Sequence, residues 1–171
     1  MKKIALNGLL ISLALVLSFV ERFIPLNLIV PLPGVKLGLA NIVSMFALFY
    51  LGISSTLSII VIRCTLGSLM FGGMTSFLYS LAGALFSLIA MSLLKSGYDR
   101  VFSIAGISMG GAAAHNTGQL VMASIIMKDA AIFAYLPVLL ITGLITGLFI
   151  AFVSVYLFAI FEKTKIVTFI K

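Results

Sequence analysis

The chain has 171 residues, of which 63% are hydrophobic and only 9% are charged. A soluble domain uses about a quarter of charged residues to cover its surface, so this composition excludes a water-exposed globule and indicates an integral membrane protein. The net charge of +7 does not indicate a nucleic-acid partner, because the basic residues lie at the ends of apolar runs, where membrane proteins carry them.

Charges, prolines and glycine pairs divide the chain into six apolar segments. The predicted spans are about 4–20, 37–51, 53–71, 76–94, 101–127 and 132–161, within one transmembrane domain of residues 1–171. These segments are apolar on all sides, which favours helices over the alternating strands of a barrel. Merging the second and third segments across Gly52 gives five spans, but a helix of roughly 35 residues is too long for one crossing. The fold prediction is therefore an all-α bundle of six transmembrane helices.

The distribution of basic residues predicts the orientation. With the N-terminus inside, the cytoplasmic ends of the spans hold seven basic residues, namely Lys2, Lys3, Lys95, Arg100, Lys163, Lys165 and Lys171. The outer ends hold three, namely Arg22, Lys36 and Lys128. This bias places both termini in the cytoplasm and the chain in the inner (cytoplasmic) membrane. The proline-rich loop of residues 23–36 then lies outside, where it is expected to cap a cavity.

The residues needed for catalysis are sparse. The chain has two aspartates and two glutamates, Asp99, Asp129, Glu21 and Glu162, all near predicted helix ends. Magnesium needs several hard oxygen ligands close together, and an ATP site needs a glycine-rich loop that ends in Lys-Ser/Thr. Neither pattern is present, so we expect no enzyme activity, no metal and no cofactor in this chain.

Two candidate binding groups lie in or beside the second and third spans. Arg63 lies mid-helix, where a guanidinium costs at least about 2.5 kcal/mol on insertion scales and must face the bundle interior or a wet cavity. It either anchors a polar or anionic ligand group or bonds structurally to helix carbonyls. Lys36 lies at the outer interface with Asn41 about one turn deeper; the alternative for Lys36 is an ordinary interfacial lysine.

The fifth span carries the polar run His115-Asn116-Thr117-Gly118-Gln119. His115 and Gln119 are four residues apart and share a helix face, as do Asn116 and Gln119. Such a face is costly against lipid, so it must point inward. It forms either a ligand-binding face or interhelical hydrogen bonds that hold the bundle together. One histidine without carboxylates is a poor metal site.

Small residues recur at four-residue spacing along several spans, which allows helix backbones to approach closely. Internal packing is the main expectation for these residues. The Gly8/Ser12 stripe near the cytoplasmic end of the first span is the exception, because it is also suited to seat a partner helix.

Four stretches together resemble a known bacterial family. They are VKLGLANI at 35–42, Arg63 with LGS at 66–68, SLAG at 80–83 and HNTGQL at 115–120. The pattern is similar to heptaprenyl diphosphate synthase component I, also called the Gx transporter family, over nearly the whole chain.

That family is in turn similar to the substrate-binding S components of energy-coupling factor (ECF) transporters. The resemblance implies six helices with both termini inside, a ligand site near the outer face, and coupling to an ECF transmembrane subunit and two ATPases. Lys36, Leu37 and Asn41 correspond to a Lys-Leu-x-x-x-(Asp/Asn) stretch that enters helix two. Gly8 and Ser12 stand where S components carry a coupling stripe that is usually alanine-x-x-x-alanine, and this chain departs from it.

The expected function is a substrate-binding membrane subunit for uptake of a small vitamin-like or quinone/isoprenoid-precursor molecule. Its expected binding residues are Lys36, Asn41, Arg63, His115, Asn116 and Gln119, and its expected coupling residues are Gly8 and Ser12. The alternative is a non-catalytic accessory subunit of a heptaprenyl diphosphate synthase. A channel is disfavoured, because one arginine makes a weak pore lining.

Overall fold

The fold was taken from a computed structural model that describes residues 2–24 and 36–163. Most of the predicted proline-rich loop, and the tail with Lys165 and Lys171, lie outside the described residues. The described part is all-helical, as predicted, with an isolated bridge between Tyr98 and Phe102 as its one β feature. Its α-helices are α1 (Lys2–Val20), α2 (Asn41–Tyr50), α3 (Ile53–Phe71), α4 (Gly73–Lys95), α5 (Ile104–Met127) and α6 (Leu136–Lys163).

Four stretches are long and apolar enough to cross a membrane: Lys3–Phe23, Ile53–Phe71, Gly73–Lys95 and Ala130–Ile160. These are the helices of a membrane protein. Helix α5 is long enough, but its polar run at residues 115–119 makes it less apolar than these four. Helix α2 has only 10 residues. The number of crossings stays a prediction.

Local sequence explains where the helices begin and end. Gly52 separates α2 from α3 with a φ of 84°, a left-handed conformation that favours glycine. The Ser103 hydroxyl caps α5 by accepting a hydrogen bond from the backbone N–H of Gly106 at 3.2 Å. At the other end, Lys128 takes the left-handed conformation, and the Asp129 carboxylate then accepts the N–H of Ala131 at 2.8 Å.

Helix α2 lies at the centre of the bundle. All residues from Asn41 to Leu48 are buried, and α2 contacts α1, α3, α4, α5 and α6. The outer faces of α1, α3 and α6 expose many large hydrophobic side chains, as lipid-facing helices do. The short helix is therefore enclosed by protein, while the longer helices around it face outward.

Glycines allow the closest helix contacts. A Cβ on Gly118 of α5 would lie 2.8 Å from the backbone oxygen of Ala82 in α4. A Cβ on Gly147 of α6 would lie 2.7 Å from the Cα of Met109 in α5. Helices α4, α5 and α6 therefore pack with backbones nearly touching, the use expected for small residues inside a bilayer.

Candidate functional site

The chain is not helical immediately before α2. The predicted second span of about 37–51 becomes an irregular stretch at residues 36–38 and a turn at 39–40, and the helix begins only at Asn41. Ten helical residues extend about 15 Å, half of a hydrocarbon core of about 30 Å. Buried backbone polar groups need hydrogen-bond partners, and those outside a helix cannot find them within it. Residues 36–40 therefore need polar partners from neighbouring helices.

Gln119 of α5 supplies the first of these partners. Its Oε1 accepts the backbone N–H of Lys36 at 2.8 Å, and its Nε2 donates to the backbone oxygen of Lys36 at 2.9 Å. Gln119 is completely buried. One side chain thus satisfies both backbone groups of a residue far away in sequence and holds the entry to α2 against α5.

Glu21 supplies the second partner. It lies in a short 3₁₀ turn, Glu21–Phe23, that continues α1, and it is only 4% exposed. Its Oε1 accepts the backbone N–H of Gly38, whose φ is 84°. It also interacts electrostatically with Lys36 and Arg63. The carboxylate therefore lies at the start of α2 beside two cations.

The Lys36 side chain turns toward α4. Its Nζ donates to the Ser80 hydroxyl at 2.9 Å, and the side chain is partly buried. Lys36 is therefore fixed by α4 and α5 and does not extend along the interface as a free lysine.

Three further side chains are buried around the same turn and have unpaired polar atoms. Asn41 is 2% exposed, His115 is 3% exposed and Arg63 is 6% exposed. The amide N and O of Asn41, both ring nitrogens of His115, and Nε and Nη2 of Arg63 are buried without hydrogen-bond partners. An unsatisfied buried polar group costs about 1–3 kcal/mol. Because several such groups lie around one turn, this turn is the candidate binding site.

The His115 ring ties these residues together. A Cβ on Gly38 would lie 3.1 Å from Cδ2 of His115 and 3.0 Å from Nδ2 of Asn41. On the other side, a Cβ on Gly83 of α4 would lie 2.9 Å from Cε1 of the ring. The imidazole is thus packed between two glycines, where no larger residue fits. Arg63 and Lys36 both act on it electrostatically.

We call the resulting group the polar cluster. Its members come from five parts of the fold and lie at the end of the bundle where α1 ends and α2 begins. They are Glu21, Lys36, Asn41, Arg63, Ser80, His115 and Gln119.

The structure gathers five of the six predicted binding residues in this cluster. The exception is Asn116, whose Nδ2 donates to the backbone oxygen of Leu139 in α6 at 2.6 Å. It also packs against Gly143, whose Cβ would lie 2.7 Å from that nitrogen. Asn116 thus makes the interhelical bond that was the alternative for this face. Its Oδ1 is buried without a partner, and the ligand roles of all six residues stay predictions.

Two members of the cluster were not predicted as site residues. Glu21 was interpreted as a charge that closes the first span, and Ser80 was noted only within the SLAG stretch. A single carboxylate next to an apolar run does not reveal whether it turns inward. The irregular backbone that recruits Glu21 is visible only in three dimensions.

The predicted coupling residues lie elsewhere, on α1. Ser12 donates to the backbone oxygen of Gly8 at 3.0 Å, and a Cβ on Gly8 would meet nothing within 4 Å. Gly8 is exposed, so this part of the helix is not used for internal packing.

A metal site and an apolar cavity are the alternatives to the polar cluster among the described residues. Within residues 2–24 and 36–163, no group of three or more His, Cys, Asp or Glu residues is placed to hold a metal ion. An apolar cavity of about 300 Å³ lies between α1 and α3, lined by Leu15, Val16, Phe19, Met70 and Phe71. These side chains offer no polar group to orient a ligand, so the polar cluster is the better candidate.

Comparison with known proteins agrees with the resemblance noted in the sequence. The protein family described as heptaprenyl diphosphate synthase component I matches residues 10–157, which include every member of the polar cluster. No curated protein and no solved structure gives a significant match. The chain belongs to the heptaprenyl diphosphate synthase component I family.

Proposed function

We propose that this chain is a membrane subunit that binds a small vitamin-like or quinone/isoprenoid-precursor molecule for uptake, with the polar cluster as its binding site. The observation that carries the proposal is the set of buried, unpaired polar atoms on Asn41, Arg63 and His115. Three such residues on three helices are expensive to keep in a membrane protein unless a ligand uses them.

The proposed topology has six crossings with both termini in the cytoplasm. Helix α5 is included because its polar residues are covered by α4 and α6, so they do not face lipid. The short α2 crosses together with the irregular residues before it. In this orientation the polar cluster lies in the outer half of the cytoplasmic membrane, on the side from which a solute would arrive.

Uptake needs an energy source, which the proposal assigns to partners. We propose an ECF transmembrane subunit and two ATPases, which dock through the exposed α1 surface around Gly8 and Ser12. The open space at Gly8 supports this assignment, since a partner helix can approach the backbone there.

A second candidate is a non-catalytic membrane subunit of a heptaprenyl diphosphate synthase. The family description favours it, because a component I implies a second component that carries the prenyl-transfer site. Two of the acidic residues in the described part already have structural contacts. Asp129 caps the turn after α5 and Glu21 holds the start of α2.

Purification from native membranes under mild conditions, followed by mass spectrometry of bound proteins and small molecules, tests the two candidates. The uptake function predicts that ATPases and a small molecule purify with the chain. The small molecule is expected to be lost in Arg63→Ala and kept in the matched variant Arg22→Ala, because Arg22 is exposed. A prenyl synthase subunit bound equally by wild type and Arg63→Ala supports the second candidate. Retention of the small molecule by Arg63→Ala contradicts the site.

A further inference from the structure

We infer that the polar cluster selects a ligand carrying a single carboxylate, which Arg63 holds through the side-on edge of its guanidinium. This inference rests on the proposed function, because it names the chemical class of the molecule that the cluster binds. It follows from which Arg63 atoms lack partners, from the charges around them and from the position of α2.

The unpaired atoms of Arg63 are Nε and Nη2. Their N–H groups project from the same edge of the guanidinium and lie parallel, at the spacing of the two oxygens of a carboxylate. A bidentate pair on this edge satisfies both buried donors at once. A ligand with one hydroxyl or one carbonyl leaves a donor unpaired, at a cost of about tenfold or more in affinity.

The neighbouring groups complete the binding of such an anion. Asn41 and His115 each have two unpaired polar atoms, and one from each residue, Nδ2 of Asn41 and Nε2 of His115, lies close to Gly38. The N-terminus of α2 begins at Asn41, and the positive end of a helix dipole favours an anion there. Carboxylate-binding sites at the N-termini of broken helices use this arrangement in transport proteins.

The charge balance of the cluster favours one negative charge. Counted by formal charge, Lys36 and Arg63 are positive, Glu21 is negative and His115 is neutral, which gives a sum of +1. One carboxylate brings the cluster to neutrality. A diphosphate with two or three charges leaves an excess of negative charge beside Glu21 in a weakly polarisable interior, which is unfavourable.

Nuclear magnetic resonance of the arginine side chains tests this inference directly. The chain has three arginines, Arg22, Arg63 and Arg100, so a protein labelled with ¹⁵N at arginine gives three Nε–H signals. The probes are benzoate, its neutral analogue benzamide, inorganic phosphate and pyrophosphate, each added to the purified chain in lipid nanodiscs. The signal that is absent from the spectrum of Arg63→Lys is assigned to Arg63.

We expect benzoate to shift the Arg63 signal downfield and to leave those of Arg22 and Arg100 unchanged. Benzamide and pyrophosphate are expected to need at least tenfold higher concentrations for the same shift. A response to pyrophosphate at lower concentration than to benzoate, or an equal response to benzamide, overturns the carboxylate assignment. An unchanged Arg63 signal with all four probes also overturns it.

A pair of conservative variants distinguishes the effect of the positive charge at position 63 from that of the two-donor edge of the guanidinium. Arg63→Lys keeps the positive charge but lacks the two-donor edge, and Arg22→Lys makes the same change at an exposed position. The apparent affinity for benzoate is obtained from the thermal stabilisation that benzoate gives to the whole chain. We expect this affinity to fall at least tenfold in Arg63→Lys and to stay within twofold of the wild type in Arg22→Lys. Equal affinity of Arg63→Lys and wild type contradicts the bidentate contact.

The outcomes also separate this inference from the proposed function. If mass spectrometry identifies a bound molecule that Arg63→Ala releases but that has no carboxylate, the ligand class is wrong and the binding function stands. If no small molecule accompanies the chain and no probe reaches Arg63, both fail.

Discussion

The double hydrogen bond from Gln119 to the backbone of Lys36 is the contact on which the irregular entry to α2 depends. Replacing Gln119 with leucine removes both bonds, at 2.8 and 2.9 Å, while keeping a side chain of similar size. Neutral hydrogen bonds contribute about 1 kcal/mol each, and those measured between membrane helices average about 0.6 kcal/mol. We therefore expect Gln119→Leu to lower the free energy of unfolding by about 1–3 kcal/mol.

Unfolding in mixed micelles with increasing dodecyl sulfate, followed by far-ultraviolet circular dichroism, measures this change. The chain has no tryptophan, so fluorescence is a poor probe of its unfolding. Thr117→Val is the matched control, because the Thr117 hydroxyl bonds only to the carbonyl of Ala113 in its own helix, at 2.9 Å. The control is expected to lose less than about 0.5 kcal/mol, as most substitutions without a tertiary contact do.

Hydrogen exchange at the Lys36 amide gives a second measurement. That N–H is held by Gln119 in the wild type and is freed in Gln119→Leu. Its exchange is expected to accelerate about 5- to 150-fold, since 1–3 kcal/mol corresponds to that range when opening is local. A Gln119→Leu protein as stable as the wild type, or a Thr117→Val protein that loses as much, refutes the role assigned to this contact.

Three more predictions concern packing, capping and charge. Gly147→Ala places a methyl 2.7 Å from the Met109 Cα, so we expect it to lower the free energy of unfolding by about 1–3 kcal/mol. Gly8→Ala places a methyl where nothing lies within 4 Å, so we expect it to be neutral or stabilising in the same unfolding assay. Lys95→Met removes a 2.7 Å hydrogen bond to a carbonyl of the last turn of α2 and is expected to cost about 1 kcal/mol. Glu21→Gln raises the formal charge of the polar cluster by one, so benzoate is expected to bind about tenfold more tightly by the arginine resonance titration; weaker binding contradicts the charge argument.

The sequence predicted the helical class and the family, because both depend on extended patterns. Low charge over the whole chain indicates a membrane protein, and runs such as HNTGQL at 115–120 point to the family. Of the six binding residues expected from the sequence, the structure brings five together in the polar cluster. Their common property, polarity inside an apolar run, is visible in one dimension because lipid excludes it from the outside of the bundle.

The features that the sequence did not predict depend on contacts between segments that are distant along the chain. Residues 37–51 look like one apolar span, and nothing in their composition shows that the helix starts at Asn41. Glu21 looks like a charge at a helix end, and Asn116 looks like a neighbour of Gln119 in function. The structure assigns Glu21 to the backbone of Gly38 and Asn116 to α6. A side chain one position along a helix points about 100° away, enough to change its partner.

The broken second helix accounts for the composition of the polar cluster. A full-length helix satisfies its own backbone groups, whereas the irregular residues 36–40 need Gln119 and Glu21 to do so. Burying Glu21 in turn favours nearby cations, which Lys36 and Arg63 supply. In the proposed topology this arrangement lies at the end of the bundle away from the cytoplasm, so a subunit that only docked a soluble synthase on the cytoplasmic side would gain nothing from it. The proposed capture of a solute does use it, because a bound anion would satisfy the buried, unpaired Nε and Nη2 of Arg63.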